Sequence, residues 1–245
     1  GRTDFINFSE DCLYLNVFTP PLPASETALP VLVFFHSGSF QNGFANSYDG
    51  SSLIYNDLSK RRQIIVTCNF RLGIFGFFTN QFLVKENGLA GASNFGLQDQ
   101  QAALKWVHDN IASFGGDKDR VTIAGIGSGG RSVLFHLISS TTPRHFFSRA
   151  FVSSPVRTNL DEDHWPEVNR NGLAFMERTG CMYDTSCLRS LLTEEVVFYA
   201  HINNTRIWKP VIDGYYLNTS LATAIEHYGT HTSGEDDTDK KIVPL

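Results

Sequence analysis

A chain of 245 residues with 42% hydrophobic and 18% charged side chains can bury a sizeable core. Its formal net charge of −5, with Lys and Arg dispersed, excludes an extended basic surface for nucleic acid. Its longest apolar runs are too short to cross a bilayer, so no transmembrane segment is expected.

In chain order, FSEDCLYLNVFTP ends in an alternating strand from Cys12 to Phe18, which Pro20, Pro21 and Pro23 break. Val31 to Phe35 is a continuous apolar run, as expected of a strand covered on both faces, and it opens into His36, Ser37, Gly38, Ser39 and Phe40. Ile64 to Asn69 is a second strand of that kind, and Phe70 to Phe78 is a glycine-punctuated turn. Leu97, Leu104, Val107 and Ile111 recur at helical spacing, with Asp99 near the start and Phe114 to Asp117 as the stop.

The informative stretch is Val121 to Gly130. Four residues of strand character, Val121 to Ala124, run into a Gly-rich turn, and an apolar helical stretch follows from Arg131 to Ile138. Strand, abrupt turn and helix form the setting in which an α/β-hydrolase presents its nucleophile from a G-x-S-x-G elbow. Laid on that pattern, Gly125 and Gly129 frame the turn, and Gly127 stands where the serine is expected. Ser128 is the alternative nucleophile, displaced by one residue. That choice puts Ile126 in the first framing position and starts the helix at Ser128 with its Oγ turned from the apex, which favours a structural role. Glycine at the apex tolerates the strained backbone of such a bend, as in a turn kept for shape without its chemistry.

A strand near Arg149 to Ser153 follows, and the alternation predicts a parallel, doubly wound α/β sheet. After Pro155 the pattern changes: a helix over Val168 to Arg178, one or two more between Cys187 and Ala200, the strand-and-turn WKPVIDGYYL, and a polar, mobile tail from Thr230 to Lys241. The expected division is a sheet core over residues 1–155 and a helical and loop region over 156–245. Cys181 and Cys187 lie close enough in a loop to form a small disulfide ring. With the sequons at Asn7, Asn203 and Asn218, the cysteines lean toward an oxidising compartment. Without an initiator Met or a signal peptide at Gly1, the expectation is a chain processed or cut from something longer.

SEDCLYLNVFTP (residues 9–20), HSGSF (36–40), NFRLGIFGFF (69–78), SNFGLQDQQAALKWVHDNIASFGGDKDRVTIAG (93–125) and PVIDG (210–214) resemble, in order and spacing, motifs of the type-B carboxylesterase and cholinesterase family. The resemblance covers nearly the whole chain and implies an α/β-hydrolase sheet, mostly parallel and truncated at both ends. It puts the nucleophile position on Gly127 and the glutamate that usually precedes it on Ile126, so no catalytic residue is intact. It assigns oxyanion donors to the N–H groups of Gly38, Ser39 and Ser128, with Ser39 carrying a side chain where the family has glycine. Such donors can bind a carbonyl or carboxylate oxygen, but no acyl-enzyme forms without a nucleophile.

The family's acid and histidine lie later than the final IVPL. His108, His136, His145, His164, His201, His227 and His231 read as surface or hydrogen-bonded structural histidines, and Asp161, Glu162 and Asp163 as a solvated acidic turn, not a metal site. The resemblance further implies an ion pair between Glu10 and Arg71, a Cys181–Cys187 disulfide and a buried free thiol at Cys68. Cys12 would pair with an upstream cysteine, and Arg2 falls where cholinesterases carry their choline-stacking tryptophan, against a quaternary-ammonium ligand.

The expectation is a non-catalytic cholinesterase-like domain used for recognition or adhesion in a secreted or cell-surface protein. It would take an extracellular protein partner or a small ester or carboxylate ligand, and no cofactor, metal or nucleic acid. The alternatives are a carboxylic ester hydrolase with atypical machinery, using Ser128 and residues past Leu245, and a truncated or decayed gene product.

Overall fold

The computed structural model describes residues 9–21, 28–54, 62–88, 91–155, 163–202 and 208–230. Seven strands, β1 (Leu15–Phe18), β2 (Leu29–Phe35), β3 (Ile64–Cys68), β4 (Gly116–Ile126), β5 (Arg149–Ser153), β6 (Asp163–His164) and β7 (Val211–Ile212), are interleaved with helices among the described residues. The helices are α1 (Ser51–Ile54), α2 (Gly73–Phe77), α3 (Gln81–Asn87), α4 (Phe95–Asn110), α5 (Ser128–Ile138), α6 (Trp165–Thr179), α7 (Thr185–Ser190), α8 (Thr193–His201) and α9 (Leu221–Thr230).

The main sheet has the order β1-β3-β2-β4-β5. β1 runs antiparallel to β3 and the other neighbours are parallel, as the α/β expectation requires. β3 is buried along its whole length, whereas β2 alternates between buried and half-buried residues. β4 starts earlier than the apolar run that predicts it, because Gly116 pairs with Leu29 across a register shift in β2. β6 and β7 form a separate two-residue ladder.

Leu97, Leu104, Val107 and Ile111, the expected helical stripe, are fully buried. Leu104, Val107 and Ile111 pack with Val31, Val33, Val66 and Ile123 of the sheet in one core cluster. A second cluster joins Phe40, Phe77, Leu97 and Phe135 to Phe175, Trp208, Tyr216 and Leu221, so the helices after residue 163 share apolar contacts with the elbow helix α5. α9 is absent from the sequence reading. Its apolar run is short and follows a turn-rich segment, and tertiary packing against α5 decides it.

The Cys181–Cys187 disulfide is present, with Cα atoms 5.4 Å apart. Cys68 is a buried free thiol, pushed up to about 12 by burial, and Cys12 is free and half-buried. Asn218 is exposed, whereas Asn7, Asn203 and the tail beyond Thr230 lie outside the described residues. No described helix is long and apolar enough to cross a membrane.

Candidate functional site

The site lies where neighbouring parallel strands β2 and β4 end side by side, with Phe35 opposite Gly125. In open α/β sheets ligands bind outside these carboxyl ends. Each strand feeds a loop: residues 36–44 after β2 and the sharp turn into α5 after β4.

At the turn, Gly127 has φ +59° and ψ −119°, a backbone that side chains rarely adopt. Its N–H donates to the Ser153 carbonyl at 3.0 Å and its carbonyl accepts from the Arg131 N–H at 3.0 Å, which fixes the turn between β5 and the helix. The framing glycines are needed for close approach: a Cβ on Gly125 would lie 2.3 Å from the Gly129 backbone, and one on Gly129 would lie 2.0 Å from the Phe35 carbonyl oxygen. Residues 125–130 therefore form the strand–turn–helix elbow that their spacing predicts, with glycine at its apex.

Ser128 is the first residue of α5 and is buried. Its carbonyl accepts from Ser132 Oγ at 3.2 Å, and among the described residues no histidine or carboxylate bonds its hydroxyl. At a helix start its N–H has no acceptor within the helix. The loop after β2 carries Gly38 at φ +130° and two non-glycine residues with positive φ, Ser39 (+55°) and Phe40 (+61°). Among the described residues, the N–H groups of Gly38 and Ser39 have no acceptor. The loop is tied down elsewhere. The Gly38 carbonyl accepts from Gln41 and Asn42 N–H at 2.9 and 3.1 Å, the Phe40 carbonyl accepts from Gly73 N–H at 2.7 Å, and the Gln41 side chain donates to the Trp208 carbonyl. The Phe40 ring meets Phe77 edge-on at 5.3 Å.

His36 is buried and stacks on Phe70 with ring centroids 4.3 Å apart. Its Nδ1 lies 2.8 Å from the Ser37 carbonyl, so the proton sits on Nδ1. Burial lowers its pKa, partly offset by that hydrogen bond.

The structure corrects the expected Glu10–Arg71 pair. Arg71 grips Asp99 instead: Nε reaches Oδ2 at 2.8 Å, Nη2 reaches Oδ1 at 2.7 Å, and the Arg71 N–H adds a bond to Oδ2 at 3.0 Å. Asp99 is buried in the second turn of α4 and offers two oxygens in the plane of the guanidinium fork. Glu10, on the exposed approach to β1, accepts from Thr193 Oγ1. The NFRLG turn is thus pinned to α4.

Two buried polar networks went unread in the sequence. In one, His136 links Gln100, Thr142 and Tyr216, and Gln100 reaches Ser132 on the elbow helix. Full burial lowers the His136 pKa to about 3, and burial first of all raises that of Tyr216. In the other, Asp213 Oδ1 accepts the N–H groups of Tyr215, Tyr216 and Leu217 at 2.9, 2.8 and 3.0 Å. Its Oδ2 accepts from Ser93 Oγ at 2.5 Å and Asn94 Nδ2 at 2.9 Å. The SNFG and PVIDG motifs are therefore two halves of one clamp, a pairing that local sequence cannot show.

His108 and His145 meet with ring centroids 5.0 Å apart, away from any described triad arrangement. Among the described residues no group of three His, Cys, Asp or Glu side chains could hold a metal ion. The side chains of the acidic run 161–163 lie outside the described residues.

Comparison with known proteins fits this geometry. The sequence profile described as the Carboxylesterase family matches residues 2–232. Crystal protein of Dictyostelium discoideum is 34% identical over 94% of this chain and 42% of its own length. The neuroligin-like protein glit-1 of Caenorhabditis elegans is 34% identical over 85% of the chain and 28% of its own. Human carboxylesterase 3 is 36% identical over 87% of the chain and 36% of its own. Among solved structures, Geobacillus stearothermophilus carboxylesterase EST55 superposes with a TM-score of 0.78 at 31% identity, over 90% of this chain and 45% of that one. The chain therefore spans less than half the length of these relatives, and over that span it belongs to the carboxylesterase family.

Proposed function

We propose that the chain is part of a non-catalytic carboxylesterase-family domain that works by recognition in a secreted or cell-surface protein. The observation that carries this reading is Gly127. The elbow keeps its strand, its framing glycines and its helix, while its apex offers no side-chain atom to attack an acyl carbon. Ile126 beside it, 40% exposed, supplies no carboxylate. The disulfide and the exposed sequon at Asn218 support an extracellular setting, and the neuroligin-like name of one relative supports a protein partner there.

The test uses the full natural protein and a 4-nitrophenyl ester. The expected result is no turnover above buffer hydrolysis and no fluorophosphonate adduct within residues 125–130. Turnover abolished by Ser128→Ala, or an adduct mapped to this turn, would overturn the reading. A second reading, an ester hydrolase with atypical machinery, draws support from the unpaired N–H groups of Gly38 and Ser39 and from relatives named as carboxylesterases. The same assay decides between them.

A further inference from the structure

Helix α6 buries one face and leaves another open. Val168, Gly172, Phe175 and Met176 are buried, and a Cβ on Gly172 would lie 2.3 Å from the Thr79 carbonyl oxygen. On another face Pro166, Arg170, Leu173 and Glu177 follow one another at spacings of four, three and four residues. That is the seam one helix presents to a second. The seam lines a groove of about 430 Å³, together with Met182 and Tyr183 of the disulfide loop that follows α6. No residue of the elbow or of the loop after β2 lines this groove.

The loop holds its large side chains outward on a fixed frame. Tyr183 has φ +64°, a left-handed backbone rare for a bulky residue, and is 62% exposed, while Met182 is 53% exposed. The Cys181–Cys187 disulfide closes the loop, and the Asp184 N–H donates to the Cys181 carbonyl at 3.2 Å. The Asp184 carboxylate accepts in turn from the N–H groups of Ser186 and Cys187. Tyrosine and methionine are residue types enriched where proteins dock on one another. Charge decides the partner. Arg170 and Glu177 are both exposed and stand two turns apart, about 10 Å along the helix axis. Among the described residues neither side chain has a hydrogen-bond or ion-pair partner. A matching surface carries an anion level with Arg170, a cation level with Glu177 and apolar groups between them. α6 presents that set itself, in reverse order, once it is turned about a twofold axis.

We propose that this groove docks a second copy of the same chain, with the two α6 helices antiparallel. The twofold axis passes between Leu173 and Ala174, which are half-buried in the single chain. Arg170 of each copy then lies level with Glu177 of the other, and two ion pairs flank an apolar centre. Met182 and Tyr183 of each copy fall at Pro166 of the other, so the exposed loop is covered as well. Every contact of such an isologous pair occurs twice. The contact goes beyond the reading of the elbow and does not depend on whether the elbow hydrolyses an ester.

The test follows the mass of the full natural protein by sedimentation velocity over about 1–100 μM. The expected result is a dimer whose fraction rises with concentration. Arg170→Glu and Glu177→Arg each bring like charges level twice, and each is expected to weaken self-association by about tenfold or more. Mixing these two variants sets opposite charges level again between unlike copies, so the mixture should associate as the natural protein does. A variant that fails to fold would not be rescued by its counterpart. Oxidative cross-linking gives a second readout. Leu173→Cys, next to the axis, is expected to yield a covalent dimer. Pro166→Cys lies on the same groove but about 20 Å along the axis from its own position in the other copy, and should yield none. A protein that stays monomeric over that range overturns the proposal. So does association unchanged by the single reversals, no recovery on mixing, or equal cross-linking at residues 166 and 173.

Discussion

A single added methyl group tests the elbow at the scale of one residue. Gly127→Ala forces a side chain onto φ +59°, ψ −119° and against Ser37 Oγ, so it is expected to cost about 1–3 kcal/mol, read from the denaturant midpoint at constant slope. Ser37→Gly in the same chain should recover the steric part and leave the backbone part. An unchanged midpoint would mean that the turn has another conformation available. His136 gives a pH signature. An unfolded histidine titrates near 6.5, and burial holds this one near about 3. Between those values the unfolded chain binds a proton that the folded one refuses. Stability therefore rises with pH through that window, is complete above about 6.5 and is lost as the pH falls toward about 3. The size is on the order of a few kcal/mol, and His136→Gln should flatten the slope of unfolding free energy between pH 4 and 7. A slope unchanged by that substitution would assign the acid sensitivity to other groups. The two residues differ in how much the sequence reveals. Gly127 is legible because two glycines four residues apart flank it between a strand and a helix. His136 is not, because its partners Gln100 and Tyr216 arrive from 36 and 80 residues away.

Between elements, two carboxylates do the joining. Asp213 ties the turn after β7 to the start of α4 through five hydrogen bonds, three of them from consecutive N–H groups. Asp213→Ala removes the shared acceptor of these five donors, most of them buried, at an expected cost of about 3–5 kcal/mol by chemical denaturation. A loss under about 1 kcal/mol would mean that water replaces the carboxylate there. The corrected ion pair separates cleanly from the expected one. Asp99→Ala should cost about 2 kcal/mol, a figure reduced because Arg71 remains 37% exposed at its side chain. Glu10→Ala should cost no more than about 0.5–1 kcal/mol, the worth of one exposed hydrogen bond. The reverse ranking would restore Glu10 as the partner of Arg71. Period predicts α4 and α6 because a single buried face decides them, and unbroken apolar runs predict the parallel strands because both faces are covered. They do not predict which of two acidic residues meets Arg71, since both motifs lie near the same turn and only the depth of Asp99 on α4 settles the choice.

Over the whole molecule, the sheet that positions the elbow has two unequal edges. β1 closes one side as a short antiparallel strand. β5 has β4 on one side and, among the described residues, no strand on the other. Parallel strands are ordinarily covered on both faces, yet Phe151 on β5 is 52% exposed and Ile126 at the end of β4 is 40% exposed. An uncovered edge bearing apolar side chains is a template for pairing with another chain. The sheet truncated at both ends that the resemblance implies has open edges, but only the pairing of β4 with β5 shows that one of them carries the exposed Phe151 ring. A preparation of residues 1–245 alone is therefore expected to associate through β5, with a mass by light scattering that exceeds 27.4 kDa and grows with concentration. Phe151→Lys places a charge on that edge and should lower the association without changing the melting temperature by more than a few degrees, because the side chain already faces solvent. A monodisperse species of 27.4 kDa that melts in one cooperative step would show that the edge is protected as it stands. In that case the elbow and its loop would sit on a unit that needs no further strand to hold them.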